Sequence, residues 1–357
     1  MKTRIALRRR HYAFGAFATM TAIASRLLRE SPMDLIENTE SMLVNSGGDQ
    51  RTFYEYVSDN LANVTDYPLK EEDTPVYWHI HKSGGTSMKD YYACMGLVEA
   101  SEMGVIRHSD SEPELQVHDR EGTYYVNVDV SRKEGSVRAK RLGLAKSGLA
   151  DIFYTQFQFA AKLLFTPEYR GRVFTLLRHP VERSVSMFYY KQIASWENPR
   201  IYRPDLDGMN IGVWLKRGDV QDDVEAMYGN FMVARLVGGG PHNIDLTNDD
   251  LELAKDILRQ KVLVGLITQI EESVNRFDKY FGWTLRQEEH PECFERFIRQ
   301  GENINEHEHV QEGSDTWNKL AELAKYDVQL YEYALQLFDE QGKNLFGNDG
   351  ATIDIGQ

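Results

Sequence analysis

Two short segments of the sequence combine cationic, hydroxyl and glycine residues in arrangements suited to binding phosphate-like anions. The first is the loop segment His81-Lys82-Ser83-Gly84-Gly85-Thr86-Ser87. Its two glycines allow a tight turn that brings backbone N–H groups close to an anion. Lys82 adds a full positive charge, and Ser83, Thr86 and Ser87 add hydroxyl donors. The segment therefore predicts an anion-binding loop, with an ordinary glycine turn as the alternative.

The second segment surrounds Arg178, which directly follows the apolar run 173–177. Pro180 favours the start of a helix two residues later, so Ser186 is expected about two turns into that helix. The planar fork of an arginine suits a phosphate dianion, and the serine hydroxyl can add a further bond. A salt-bridged arginine at a solvated helix start is the alternative interpretation.

The elements around these segments alternate between strands and helices. Buried strands are predicted at 75–80, 105–107, 152–155, 173–177 and 262–266, with a hairpin of 116–118 and 124–130. Helices are predicted at 88–99, 136–146, 159–165, from Pro180, and at 224–236, 249–260, 270–281 and 316–339. Such alternation is typical of a parallel sheet covered on both faces. The predicted fold class is α/β, with a P-loop-type parallel sheet flanked by helices and a helix-rich C-terminal half.

The chain divides by composition into four parts. Residues 1–30 are basic and contain a short apolar run, which predicts a signal peptide or a short membrane anchor. Residues 31–74 form a polar lead-in, residues 75–346 the main domain, and residues 347–357 a tail. The first part predicts entry into the secretory pathway, with an organelle presequence or a plain soluble start as the alternatives. The sequon at Asn63 fits a glycoprotein. Membrane contact is expected only through the N-terminal segment.

The overall charge excludes one class of partner. The net charge is −14, although residues 1–30 carry seven basic side chains against one acid, so the remainder is strongly acidic. Such a surface repels phosphate backbones, and we expect no nucleic-acid partner. Only two cysteines occur, Cys94 and Cys293, which rules out a zinc cluster of four cysteines. They could form a disulfide in an oxidising lumen or be free buried thiols.

The two segments together resemble the cofactor signatures of the sulfotransferases. The similarity runs from about Pro75 to Phe346 and is greatest for Golgi carbohydrate sulfotransferases that act on uronic acid or glucosamine hydroxyls. The stretches AKRLGLAKSGLAD, RGRVFTLLRHPVERSVSMFYY and LYEYALQLFDEQ look most like uncharacterised sulfotransferase-like proteins of algae and related protists. The similarity is weak between residues 195 and 250.

The resemblance implies a donor and a set of site residues. The donor in this family is 3′-phosphoadenosine 5′-phosphosulfate (PAPS), and the reaction is transfer of its sulfuryl group to a hydroxyl acceptor (EC 2.8.2 type). Lys82, Ser83, Gly84, Gly85, Thr86 and Ser87 match the loop that holds the 5′-phosphosulfate, with Lys82 at the catalytic lysine position. Arg178 and Ser186 match the pair that holds the 3′-phosphate. A glycan acceptor and a Golgi-lumenal location are implied, and the mechanism requires no metal.

The sequence departs from the family pattern at the general base. Related enzymes carry a histidine at the end of the strand before Arg178, where this chain has Gln156. An amide cannot usefully accept a proton near neutral pH. His108, with Asp110 two residues on, is the first alternative base, so Lys82, His108 and Gln156 are the candidate catalytic residues. His79 and His81 flank the end of the first strand and point the same way by its two-residue period.

Two other functions remain open at this point. A P-loop kinase would use a similar loop, but a Walker lysine follows the last glycine, whereas Lys82 precedes both. A protein that binds PAPS or its desulfated product PAP without catalysis would explain Gln156. The acceptor could also be a smaller alcohol such as a sterol or a phenol, because acceptor pockets in this fold are built from variable loops.

Overall fold

The computed structural model describes residues 51–66, 73–105, 112–197, 201–217, 229–239, 245–301 and 307–347. Its strands are β1 Thr74–Trp78, β2 Val98–Ala100, β3 Val117–Arg120, β4 Thr123–Val126, β5 Ile152–Thr155, β6 Gly171–Leu177 and β7 Val262–Leu266. They form one sheet in the order β3-β4-β2-β5-β1-β6-β7. Neighbouring strands are parallel except in the β3–β4 hairpin. The predicted α/β class with a mainly parallel sheet is confirmed.

Nine helices of the described residues are labelled in chain order. They are α1 Phe53–Asn60, α2 Gly85–Cys94, α3 Lys133–Leu142, α4 Pro180–Ile193, α5 Phe231–Leu236, α6 Asn248–Lys261, α7 Ile270–Phe281, α8 Asp315–Leu323 and α9 Lys325–Phe346. Shorter α-helical segments are Leu144–Ser147, Phe157–Phe159, Ile211–Trp214, Thr284–Glu289 and Pro291–Phe294. Single π turns span Ala160–Leu164 and Glu295–Arg299, and 3₁₀ turns span Glu102–Val105, Pro204–Leu206 and Ile267–Gln269.

Alternation along the strands builds a core on each face of the sheet. In β1, Val76 and Trp78 enter one cluster, whereas Tyr77 enters the other. Helices α6 and α9 cover the first face, and α2 and α7 cover the second. Because both faces are covered, the central strand β6 is buried at all seven positions, as expected for a parallel sheet. The covered sheet therefore holds in place the carboxyl ends of β1 and β6, which the predicted site residues follow.

Several predicted elements need correction. The strand predicted at 105–107 is wrong at Val105, which ends a 3₁₀ turn, while residues 106 and 107 lie outside the described residues. The strand in this region is Val98–Ala100, whose first two residues fall in the helix that was predicted at 88–99. Its central residue, Glu99, disfavours a strand. The helix predicted at 316–339 is two helices, α8 and α9. Of the helix predicted at 224–236, residues 224–228 are outside the described part.

The sequence left the state of the two cysteines open, and the structure joins them. Cys94 at the end of α2 forms a disulfide with Cys293, which lies 199 residues later, and their Cα atoms are 5.8 Å apart. This bond ties the helix that follows the glycine loop to the C-terminal helices. Within the described residues, no helix is both long enough and apolar enough to cross a membrane. The N-terminal segment 1–30, predicted to be a signal or anchor, lies outside the described residues.

Candidate functional site

The two predicted anion-binding segments meet at the carboxyl edge of the sheet. Strands β1 and β6 are adjacent and parallel, so the residues that follow them lie side by side. The Nη1 atom of Arg178 donates a hydrogen bond to the carbonyl oxygen of Lys82 at 3.2 Å. Ligands of open α/β sheets bind at this edge, between strands whose connections diverge. Segments 96 residues apart in sequence therefore form one site.

The glycines of the loop are required by its geometry. Gly84 has a φ of +82°, a left-handed conformation that glycine adopts without steric cost. Gly85 has an ordinary φ, but a Cβ atom there would lie 2.3 Å from the imidazole of His79. The backbone of Gly85 thus touches the His79 ring directly. This contact explains why two consecutive glycines follow Ser83.

The start of α2 offers backbone donors to an anion. Gly84 is the N-cap residue of this ten-residue helix, and it has no side chain that could accept a hydrogen bond from the first turn. Such N–H groups, together with the positive end of the helix dipole, attract a phosphate-like group. Thr86 in the first turn is exposed, whereas Ser87 is buried. Ser83 is also fully buried, and its hydroxyl has no hydrogen-bond partner among the described residues.

Lys82 combines an unusual backbone with an ammonium group that is free to bind an anion. Its φ is +66°, which is uncommon for a residue with a side chain and often marks a functional position. The Nζ atom lies 4.0 Å from the centroid of the Tyr190 ring. In the part of the chain that the structure describes, no carboxylate pairs with it. Burial and the nearby Arg178 guanidinium both lower the pKa of Lys82.

The Arg178 segment forms the other half of the site. About a quarter of the Arg178 side chain is exposed, and its Nε atom lies 3.6 Å from the Glu182 carboxylate. Ser186 lies on α4 and is 5% exposed. His179 is the N-cap of α4, because its Nδ1 atom accepts the N–H of Val181 at 3.3 Å. A lone pair on Nδ1 accepts this bond, so the ring must be neutral. Burial lowers the pKa of His179, which favours the neutral form.

His81 lies next to the loop among aromatic and cationic groups. Its side chain is exposed, and the surrounding protein atoms together with nearby positive charges lower the pKa of its ring. The Phe231 ring lies 6.4 Å from that of His81 and contacts the guanidinium groups of Arg183 and Arg235 at 5.2 and 5.1 Å. Of these two arginines Arg183 is buried, so only Arg235 can contribute to the accessible surface near His81.

Gln156 occupies the end of β5 beside His79. Its amide Nε2 donates to the His79 carbonyl oxygen at 3.3 Å, and its buried Oε1 has no hydrogen-bond partner among the described residues. The amide therefore fixes the backbone next to the loop, and it has no group that accepts a proton near neutral pH. His108, the other predicted base, lies outside the described residues, as does Asp110.

A charged cluster near His79 was missed by the sequence analysis. Lys89 of α2 forms an ion pair with Glu102, and the Glu102 carboxylate interacts electrostatically with His79. Burial lowers the pKa of His79, which keeps its ring neutral at pH 7. Burial alone would raise the pKa of Glu102, but the Lys89 ammonium group lowers it overall. Glu102 follows β2, a strand that was not predicted, so no sequence signal placed it at this edge.

One group of potential metal ligands lies away from the site. His290, Glu292 and Cys293 place ligand atoms within 4.8 Å of one another. The Cys293 sulfur belongs to the disulfide and cannot act as a thiolate ligand. We therefore assign no metal site to this group.

Comparisons with solved structures give several matches to the fold. The chain is similar to mouse sulfotransferase SULT7A1, whose crystal structure is a complex with PAP, at 13% sequence identity and a TM-score of 0.35. The similarity covers 79% of this chain and 88% of that chain. No protein-family model and no curated protein matches the chain. At this level of similarity we infer no activity from the match and rely on the residues of the site.

Proposed function

We propose that this protein is a PAPS-dependent sulfotransferase. The contact between Arg178 and the Lys82 carbonyl oxygen carries the proposal, because it brings a phosphosulfate-type loop and a 3′-phosphate-type arginine into one site. Either segment alone could be structural. A nucleotide with phosphate groups at both its 5′ and 3′ positions would need both.

The loop before α2 and the start of α4 offer groups that would bind such a donor. The uncapped N–H groups of α2 and the ammonium of Lys82 would hold the 5′-phosphosulfate. Arg178 and Ser186 would hold the 3′-phosphate, on a helix start that His179 caps. Gly85 lets the helix start lie against His79, where any side chain would collide with the ring.

Lys82 would supply the main stabilisation of the transition state. The acceptor hydroxyl oxygen forms a bond to sulfur while the bond from sulfur to the 5′-phosphate oxygen breaks. Negative charge develops on that leaving oxygen, and a fixed ammonium group with backbone donors stabilises it. The partly buried position of Lys82 makes this stabilisation stronger than it would be in water.

We propose that His79 accepts the proton of the acceptor hydroxyl, because the His79 ring lies beside the loop. Its ring contacts Gly85 and is kept neutral by burial, and the nearby Glu102 carboxylate would favour the imidazolium that forms. The test is the pH dependence of turnover in His79→Gln and His108→Ala. We expect the acid limb to be lost in the His79 variant alone. Loss of the acid limb in the His108 variant would instead identify His108 as the general base.

A glycan in the Golgi lumen is the acceptor and location that we favour. The Cys94–Cys293 disulfide supports an oxidising compartment, since such bonds are rare in the cytosol. The guanidinium of Arg235, which is only partly buried and lies against the Phe231 ring near His81, is a group that an acceptor with anionic groups could contact. Screening labelled PAPS against glycan, sterol and phenol pools would identify the class of acceptor.

The donor assignment is tested by PAP binding without an acceptor. A ligand that binds only the folded state raises the melting temperature as its concentration increases. We expect PAP to do so in EDTA, whereas a kinase would need Mg²⁺ with ATP. No shift at millimolar PAP would refute the proposal. Binding without turnover in any acceptor pool would instead indicate a PAP-binding protein that lacks catalysis.

A further inference from the structure

The side chain of Lys82 needs a fixed position that its own backbone does not provide. A lysine has four flexible side-chain bonds, and ordering them costs up to about 2 kcal/mol of conformational entropy. The backbone of Lys82 is held by Arg178, but the ammonium group has no ion pair among the described residues. Its described contact is with the face of the Tyr190 ring, whose centroid lies 4.0 Å away. The ring is thus the group that determines where the charge lies.

The Tyr190 ring is itself held in place. Its hydroxyl donates a hydrogen bond to the Glu197 carboxylate at 2.7 Å, and the Trp196 ring lies 6.1 Å away in an edge arrangement. Burial and the bond to Glu197 raise the pKa of Tyr190 to about 12, so the hydroxyl stays a donor at physiological pH. Tyr190 also lies four residues after Ser186 on α4, which places both side chains on one face of the helix.

We propose that Tyr190 is a positioning residue for Lys82: its ring face holds the ammonium group at the donor loop, and Glu197 fixes the ring. This inference rests on the proposed function, in which Lys82 acts on the phosphosulfate. It also gives α4 a double role, since one helix face carries Ser186 toward the 3′-phosphate and Tyr190 toward the lysine. Placement of the reactive charge then depends on the same helix that binds the donor.

The test measures Lys82 itself and needs no acceptor. Competitive acetylation followed by mass spectrometry gives the pH at which the Lys82 amine becomes reactive. Tyr190→Leu keeps apolar bulk but removes the aromatic face that favours the charged form. We expect its labelling midpoint to move to lower pH by about 0.5 to 1, whereas Tyr190→Phe should move it by less than half of that.

Tyr333→Leu is the matched control. The Tyr333 ring also contacts cations, Lys255 at 5.8 Å and Arg259 at 5.3 Å, but it lies on α9, and we expect no change at Lys82. Thermal melting of each variant separates an effect on Lys82 from loss of the fold. A Lys82 midpoint in Tyr190→Leu that is unchanged or higher would overturn the inference.

The two proposals fail in different ways. If PAP neither stabilises the wild-type protein nor protects Lys82 from acetylation, the proposed function is wrong. If PAP does both and Tyr190→Leu behaves like Tyr333→Leu, only the positioning role is wrong. The affinity for PAP, which needs no acceptor, should change less than threefold in Tyr190→Leu. With an acceptor taken from the labelled-PAPS screen, the same variant should lower kcat roughly tenfold.

Discussion

Replacing Arg178 with alanine should separate its two contacts. The guanidinium faces the expected 3′-phosphate, and it also donates to the Lys82 carbonyl oxygen at 3.2 Å. PAPS and adenosine 5′-phosphosulfate differ only by the 3′-phosphate. Loss of the phosphate contact therefore affects PAPS alone, whereas loss of the loop contact affects both ligands.

The magnitudes follow from the burial of the side chain. Removing a buried arginine–phosphate pair costs about 2–5 kcal/mol, and because a quarter of Arg178 is exposed we expect the lower part, about 2–3 kcal/mol. That corresponds to a roughly 30- to 150-fold loss of PAPS affinity in addition to the loss that both nucleotides share. The bond to the Lys82 carbonyl oxygen contributes about 1 kcal/mol, so adenosine 5′-phosphosulfate should bind roughly fivefold more weakly.

Titration calorimetry of Arg178→Ala with both nucleotides gives the two losses directly. Glu182→Gln is the control, because it removes the carboxylate 3.6 Å from Arg178 without touching the guanidinium, and PAPS affinity should not fall. Equal losses for the two nucleotides would show that Arg178 supports the loop and does not bind the 3′-phosphate.

Three further predictions concern the supports of the site. Gly85→Ala should weaken PAPS binding at least tenfold in calorimetry, because its Cβ would collide with the His79 ring at 2.3 Å; unchanged affinity would contradict the geometry. The double variant Cys94→Ser/Cys293→Ser should melt roughly 10 °C lower, since closing a loop this long is worth about 5 kcal/mol, and an equal melting temperature would refute a structural role. Burial lowers the pKa of His179 below its value in the unfolded chain. The neutral ring therefore contributes its full stability above about pH 6.5, and this contribution is lost as the pH falls from there through the lowered pKa. His179→Asn keeps a cap acceptor, and melting against pH should show less acid destabilisation than in the wild type.

The parts of the fold that follow from local patterns could be predicted from the sequence. The strand ending at Leu177 and the helix starting at Pro180 are set by an apolar run and a proline at a helix start. The β3–β4 hairpin follows from Glu121-Gly122, whose φ values of +55° and +89° form its turn. The residues that make up each of these signals lie within a few positions of one another, so the sequence pattern alone predicts the element.

The missed strand β2 shows where local patterns fail. Val98–Ala100 has three residues, and the middle one is Glu99, a residue that favours helices. Its position between β4 and β5 overrides that preference, and the Glu99 side chain is 1% exposed. Because β2 was missed, Glu102 could not be placed beside His79. Only the pairing of β2 with β4 and β5 in the folded sheet shows that Glu102 lies near His79.

Three residues of the proposed site break local rules. Lys82 has a left-handed backbone, Ser83 is buried with an unpaired hydroxyl within the described residues, and the Gly85 backbone lies against an imidazole. Each feature costs stability, and a fold keeps such features where the surrounding structure holds them for a purpose. The hydroxyl of Ser83 has no hydrogen-bond partner among the described residues, and Gly84 gives the first turn of α2 no side-chain cap. The left-handed backbone of Lys82 lies directly before these donors, as expected if the loop is shaped to bind an anion.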